Sequence, residues 1–135
     1  RDRGIPDKAH EFKKLVNESI GIIISLAEHN GSYTSAFKNI YDWISVIETT
    51  VWSNKPLILL STSDGQNAGK TVLQTALSRF SRQSKQEIPH FSLPNFNENF
   101  SDTDGIINKK LSEELDKQIS IFSSQVDNLL YSSNN

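Results

Sequence analysis

Two short segments carry the side chains most able to do chemistry. The first is Glu28-His29-Asn30-Gly31-Ser32, a polar loop directly after an apolar run. Its amides and hydroxyl can hydrogen-bond a flat polar ligand, and Gly31 lets backbone approach closely. The plainer reading is a strand-to-helix turn in which Ser32 or Thr34 caps the following helix. The second segment runs from Ser61 through Thr62, Ser63, Asp64, Gly65, Gln66, Asn67, Ala68 and Gly69 to Lys70 and Thr71. A buried strand, a glycine loop and Gly-Lys-Thr opening a helix invite comparison with a phosphate-binding P-loop. That motif needs four residues between its glycines, whereas Gly65 and Gly69 enclose three. Asp64 stands where the first glycine should be, and its carboxylate would repel phosphate.

Elsewhere the chemistry is thin. Asn95 to Phe100 offers one carboxylate and three amides without metal-ligand spacing, and reads as a structural loop. His10 and His90 stand alone and read as surface residues. No Ser/His/Asp set, carboxylate pair or metal cluster is present, and the catalytic and metal assignments are therefore none.

Positioning these loops falls to an alternation of strands and helices. Pro6 suits the first turn of a helix to Glu18, with Ala9, Phe12, Leu15 and Val16 on one face. Ile20 to Leu26 reads as a strand covered on both sides. Helical spacing predicts helices over Ser35 to Ile47, Thr71 to Arg82 and Asn108 to about Leu130. Leu57 to Leu60 and Ile88 to Leu93 complete a set of three strands, which the alternation makes adjacent and parallel. The fold class is α/β, in three layers. Residues 1–131 form one domain, and 132–135, ending in Ser and Asn, are expected to be disordered.

Composition narrows the function. The 135 residues carry a formal charge of −2, with no basic concentration to suggest nucleic acid. Apolar runs of about eight residues are too short to span a bilayer. Cys is absent, which removes disulfides and thiolate catalysis and fits a reducing, cytoplasmic setting.

The words themselves are more specific. Glu28-His29-Asn30-Gly31-Ser32-Tyr33, then Lys38-Asn39-Ile40-Tyr41-Asp42-Trp43, resembles the signature of flavodoxin-like NAD(P)H-dependent FMN reductases of the chromate- and azo-reductase type. Lys55 to Ser63 and Phe91 to Phe100 agree in order and spacing, so the resemblance spans roughly Gly4 to Phe122. It implies a flavodoxin-like parallel sheet, FMN as cofactor and NAD(P)H as donor. Hydride then passes from nicotinamide to FMN and on to a small acceptor such as a quinone, azo dye or metal ion. By the same resemblance, Glu28, His29, Asn30, Gly31 and Ser32 lie along the flavin, with His29 a packing neighbour of the ring. Thr62, Ser63, Gly65 and Gly69 belong to the second flavin loop. In that loop Asp64, Gln66 and Ala68 replace the family's Pro, Gly and Gly, and Gln66 fits only if its backbone angles are ordinary. Lys38, Asp42 and Trp43 fall on a helix that packs across a dimer interface in such proteins, implying a homodimer or homotetramer. A solvated Lys38–Asp42 pair over an internal Trp explains the same residues.

The matched segments correspond to the later part of the resembled fold, strands three to five. The expectation is therefore a domain lacking its first two strands and the phosphate loop after the first. Ile20 to Leu26 would then be an open edge. The alternative is a non-catalytic flavodoxin-like remnant or split module acting through protein contacts.

Overall fold

A computed structural model describes residues 4–132. Helix α1 (Asp7–Glu18) follows Pro6 and leads to strand β1 (Ile22–Leu26). A small hairpin, β2 (Glu28–His29) and β3 (Ser32–Tyr33), precedes α2 (Ser35–Ile47). Strand β4 (Leu57–Thr62), α3 (Lys70–Phe80) and β5 (His90–Leu93) come next. One helical turn, α4 (Phe96–Asn99), and a second small hairpin, β6 (Phe100–Ser101) with β7 (Gly105–Ile106), fill the long loop. Helix α5 (Lys109–Ser132) closes the described chain. It includes Ser132, and the rest of the tail, 133–135, lies outside the described residues.

The main sheet has the order β1-β4-β5, all parallel. Ile22 pairs with Leu57 and Leu26 with Ser61, while Leu59 pairs with His90 and Thr62 with Leu93. Side chains alternate across a strand, so the sheet has two distinct faces. Ile24, Leu26, Leu57 and Leu59 pack with Val16 of α1, Ile44 of α2 and Val72, Ala76 and Phe80 of α3. Tyr41, Trp52 and Phe80 knit this core, with ring centroids 5.1–5.8 Å apart. The other face carries α5. Gly21 is what admits that helix, since a Cβ there would lie 2.8 Å from Val126 and 2.9 Å from Phe122.

One expectation needs correction. β1 is packed on one face only: Ile24 and Leu26 are buried, whereas Ile23 is 64% exposed. Cover on both sides of Ile20 to Leu26 is not what the fold provides, because a continuous hydrophobic stretch does not reveal which face lacks a partner. Among the described residues β1 pairs on one side alone. Ile20 and Gly21 precede the strand.

A second feature was invisible to periodicity. Lys13 sits on α1 and is buried. Its ammonium donates to the carbonyls of Thr50 at 2.9 Å and Val51 at 2.8 Å, and to Ser53 Oγ at 2.8 Å. Glu48 pairs with it at 3.1 Å. Ser53 Oγ in turn donates to Asn17. One cation thereby fastens α1 to the turn between α2 and β4, where Ser53 and Asn54 both take left-handed angles.

Candidate functional site

The carboxyl ends of the parallel strands converge on three loops. After β1, Asn30 (φ 52°) and Gly31 (φ 72°) turn the β2–β3 hairpin. Left-handed angles at both central residues define the tight turn for which Asn-Gly is the preferred pair. The loop read from sequence is thus a hairpin, with His29 opposite Ser32 and Glu28 opposite Tyr33. His29 to Ser32 form its exposed tip. The N-cap question also resolves: Thr34 Oγ1 accepts from Phe37 N–H at 3.1 Å, so Thr34, and not Ser32, caps α2.

After β4, Ser63 to Asn67 are largely exposed, while Ala68 and Gly69 turn inward. Ser61 is the buried pin of this loop, bonded to Ala68 O and to Ser92 Oγ, both at 2.7 Å. Thr62 Oγ1 donates to Leu93 O at 2.8 Å, and Ser63 Oγ to Gly65 O at 3.2 Å. Gly69 (φ 68°) is buried against β4, where a Cβ would meet that of Ser61 at 3.1 Å. Its bare backbone is therefore used inward, by packing. Gln66 keeps ordinary backbone angles, the condition on which it fits, and Ala68 retains a left-handed φ of 57°.

After β5, Asn95 and Phe96 donate backbone N–H to Gly65 O and Ser63 O at 3.1 and 3.0 Å. Asn97 Nδ2 adds a bond to Asp64 at 2.9 Å. The second loop is therefore held firmly from the β5 side.

The hairpin reaches that loop by a different route. Glu28 Oε2 accepts from the backbone N–H of Val72 at 2.9 Å, and Oε1 from Asn67 Nδ2 at 3.4 Å. Gly69, the N-cap of α3, has no side chain to offer. Glu28 supplies the missing acceptor from another element and puts negative charge at the positive end of the helix. This disposes of the P-loop comparison, because the start of α3 already holds a carboxylate.

Below the loops, on the α5 face, lies an apolar recess of about 340 Å³ whose walls include Leu60, Leu93, Phe96, Phe100 and Ile106. Phe96 and Phe100 stack at 4.8 Å. Among the described residues no group of acidic or histidine side chains could hold a metal. Lys38 and Asp42 form an exposed pair at 2.7 Å, one turn apart.

On the second strand of the hairpin, the hydroxyl of Tyr33 is buried without a partner. Burial, reinforced by Tyr41 and partly offset by Arg79, pushes its pKa up to about 12 from 10.0. A tyrosine held neutral in the fold stabilises it fully below pH 10, and that contribution disappears as the pH rises to about 12. The side chain is only half-buried, so solvent screens the effect and the expected loss is about 1 kcal/mol. Tyr33→Phe should abolish this alkaline loss and cost nothing at pH 7, as read by urea midpoints at pH 7 and 11.

The model of the family described as NADPH-dependent FMN reductase matches residues 1–98, a span that includes the hairpin and the loop after β4. The chain belongs to the NADPH-dependent FMN reductase family. Curated relatives of this chain carry quinone-reductase names. A 2-hydroxy-1,4-benzoquinone reductase of a Burkholderia species is 32% identical over 77 residues, 56% of this chain and 42% of that protein. An NADPH:quinone oxidoreductase of Arabidopsis thaliana is 30% identical over 66 residues, 49% of this chain and 33% of that one. The chain thus spans less than half the length of either.

Two solved structures share the fold. FerB, a flavoenzyme NAD(P)H:(acceptor) oxidoreductase from Paracoccus denitrificans, superposes with a TM-score of 0.71 at 18% identity. That match covers 91% of this chain and 69% of FerB. An oxidoreductase from Corynebacterium diphtheriae gives 0.62 at 19%, over 96% of this chain and 65% of its own. The flavodoxin-like arrangement expected of the three parallel strands is borne out. No helix among the described residues is long and apolar enough to cross a membrane.

Proposed function

We propose that this chain is the flavin-holding part of an NAD(P)H-dependent oxidoreductase acting in the cytoplasm on a quinone-type acceptor. The observation that carries the reading is the pair of polar loops joined across the carboxyl ends of β1 and β4, in a chain of this family. Open parallel sheets place ligands at that end. The quinone-reductase names of the relatives favour a quinone over an azo dye or a metal ion. In this reading a bound flavin supplies the chemistry, accepting hydride from NAD(P)H and delivering electrons onward. The protein's part is to place the ring and exclude water. His29, Asn30, Gly31 and Ser32 border the ring from the hairpin tip. Thr62, Ser63 and Gly65 offer backbone from the second loop, and Gly69 lets that loop lie close on β4.

The described residues fit the ring better than the phosphate. Thr34 already caps α2, and Glu28 fills the start of α3. Neither helix N-terminus is free to receive an anion. The 135-residue chain should therefore bind FMN and riboflavin with affinities within about threefold, since a phosphate bonded to two or three N–H groups would add several kcal/mol. Fluorescence titration with both flavins tests this. A hundredfold preference for FMN would place a phosphate cradle where none is assigned, and failure to bind either flavin would defeat the functional reading.

The open edge of β1 favours a second reading, a module acting through protein contacts, here with a second copy of itself as a homodimer. Beside the free edge of β1, Phe12, Leu15 and Ile23 are exposed around a groove of about 450 Å³. Unpaired strand edges recruit other strands. Sedimentation of the 135-residue chain should show concentration-dependent association, and Ile23→Lys should leave a monomer. A monomeric parent chain would remove this reading.

A further inference from the structure

The two loops that form the crevice are fixed very unequally. The loop after β4 is tied to the β5 loop by two backbone bonds and the Asn97–Asp64 contact. The hairpin after β1 has no such support. Among the described residues, every hydrogen bond between the hairpin and the loop or helix start after β4 runs through one side chain, Glu28.

We propose that Glu28 is a positioning residue that sets the separation of the two crevice loops, and does not itself contact the ligand. Both carboxylate oxygens are already engaged, one by Val72 N–H and the other by Asn67 Nδ2. The stronger of these bonds, at 2.9 Å, falls on the third residue of α3, where a capping side chain would act if Gly69 had one. A carboxylate is suited to the place because it accepts from a backbone N–H with charge assistance and complements the helix end. The strand register presents Glu28 at the base of the hairpin, opposite Tyr33, while His29 to Ser32 project beyond it. Displacing Glu28 would move the whole tip relative to Ser63 and Gly65. The mechanical claim stands on these contacts, and its effect on flavin rests on the functional reading above.

Two variants and two readouts separate the possibilities. Glu28→Ala removes both acceptors. Glu28→Gln keeps a carbonyl that can accept from Val72 N–H. Amide hydrogen exchange without ligand should rise about five- to tenfold at Val72 and across the hairpin, 28–33, in Glu28→Ala, and stay within about twofold in Glu28→Gln. Riboflavin affinity should fall about tenfold in Glu28→Ala and recover in Glu28→Gln, with the fluorescence quenching of bound flavin following the same order. Unchanged exchange in Glu28→Ala would overturn the proposal. So would equal loss of flavin in both variants with exchange intact, because the carboxylate would then touch the ligand. If the parent chain binds no flavin, the functional reading fails separately, and the exchange result alone decides for or against the clamp.

Discussion

Lys13→Met should lower the unfolding free energy by about 3 kcal/mol, the largest effect expected of any single substitution outside the apolar core. Methionine preserves the apolar stem and removes only the ammonium. The carbonyls of Thr50 and Val51 then lose their donor in a region water reaches poorly, at about 1–3 kcal/mol for each buried group left unmade. Glu48 is 43% exposed at its side chain and can return to water, so its share is small. Urea titration at neutral pH should show a lower midpoint with little change in slope. A loss below 1 kcal/mol would mean that water replaces the ammonium and that the turn between α2 and β4 does not depend on α1.

Gly69→Ala should cost about 2–3 kcal/mol through two additive causes. A φ of 68° disfavours any side chain by about 1–2 kcal/mol. The new methyl would also press on Ser61 Cβ at 3.1 Å, on the strand that anchors the loop, and Thr62 O lies close behind. The strand cannot yield as a flexible side-chain tip would, so the loop must lift. Its hydrogen bond from Ser61 Oγ to Ala68 O would lengthen, and hydrogen exchange through 63–69 should rise along with the lower urea midpoint. An alanine variant as stable as the parent, with unchanged exchange, would show that the αL geometry at Gly69 is dispensable.

Much of the architecture could be read from residue order. The helix Ser35–Ile47 was legible to the residue because Ala36, Phe37, Ile40, Trp43, Ile44 and Ile47 keep helical spacing. The three strands and their parallel pairing followed from apolar runs alternating with amphipathic helices. What escaped depends on contacts between distant parts of the chain. Lys13 carries no signal within its own helix, since its partners lie nearly forty residues away. Glu28 read as part of a ligand loop because its engagement with Val72 spans 44 residues. The Asn30-Gly31 hairpin had a local signal, the Asn-Gly pair itself, but without alternating flanks it passed for a plain loop. Which face of β1 is bare depends on the elements around it, and no pattern within Ile22–Leu26 encodes that.

The order in which these contacts can form has a kinetic meaning. Each parallel pairing in the sheet joins residues more than thirty positions apart, so no two of its strands can meet by a tight turn. Helices, and then the Asn-Gly hairpin with its two-residue closure, belong to the microsecond regime of local folding. The sheet must wait for long segments to close, and topologies of that kind fold slowly. Glu28 meets Val72 only after β1 has found β4, so the crevice is among the last parts of the molecule to assemble. A partly folded chain will thus hold both halves of the crevice without having one, and recovery of ligand binding should lag behind recovery of helical signal during refolding.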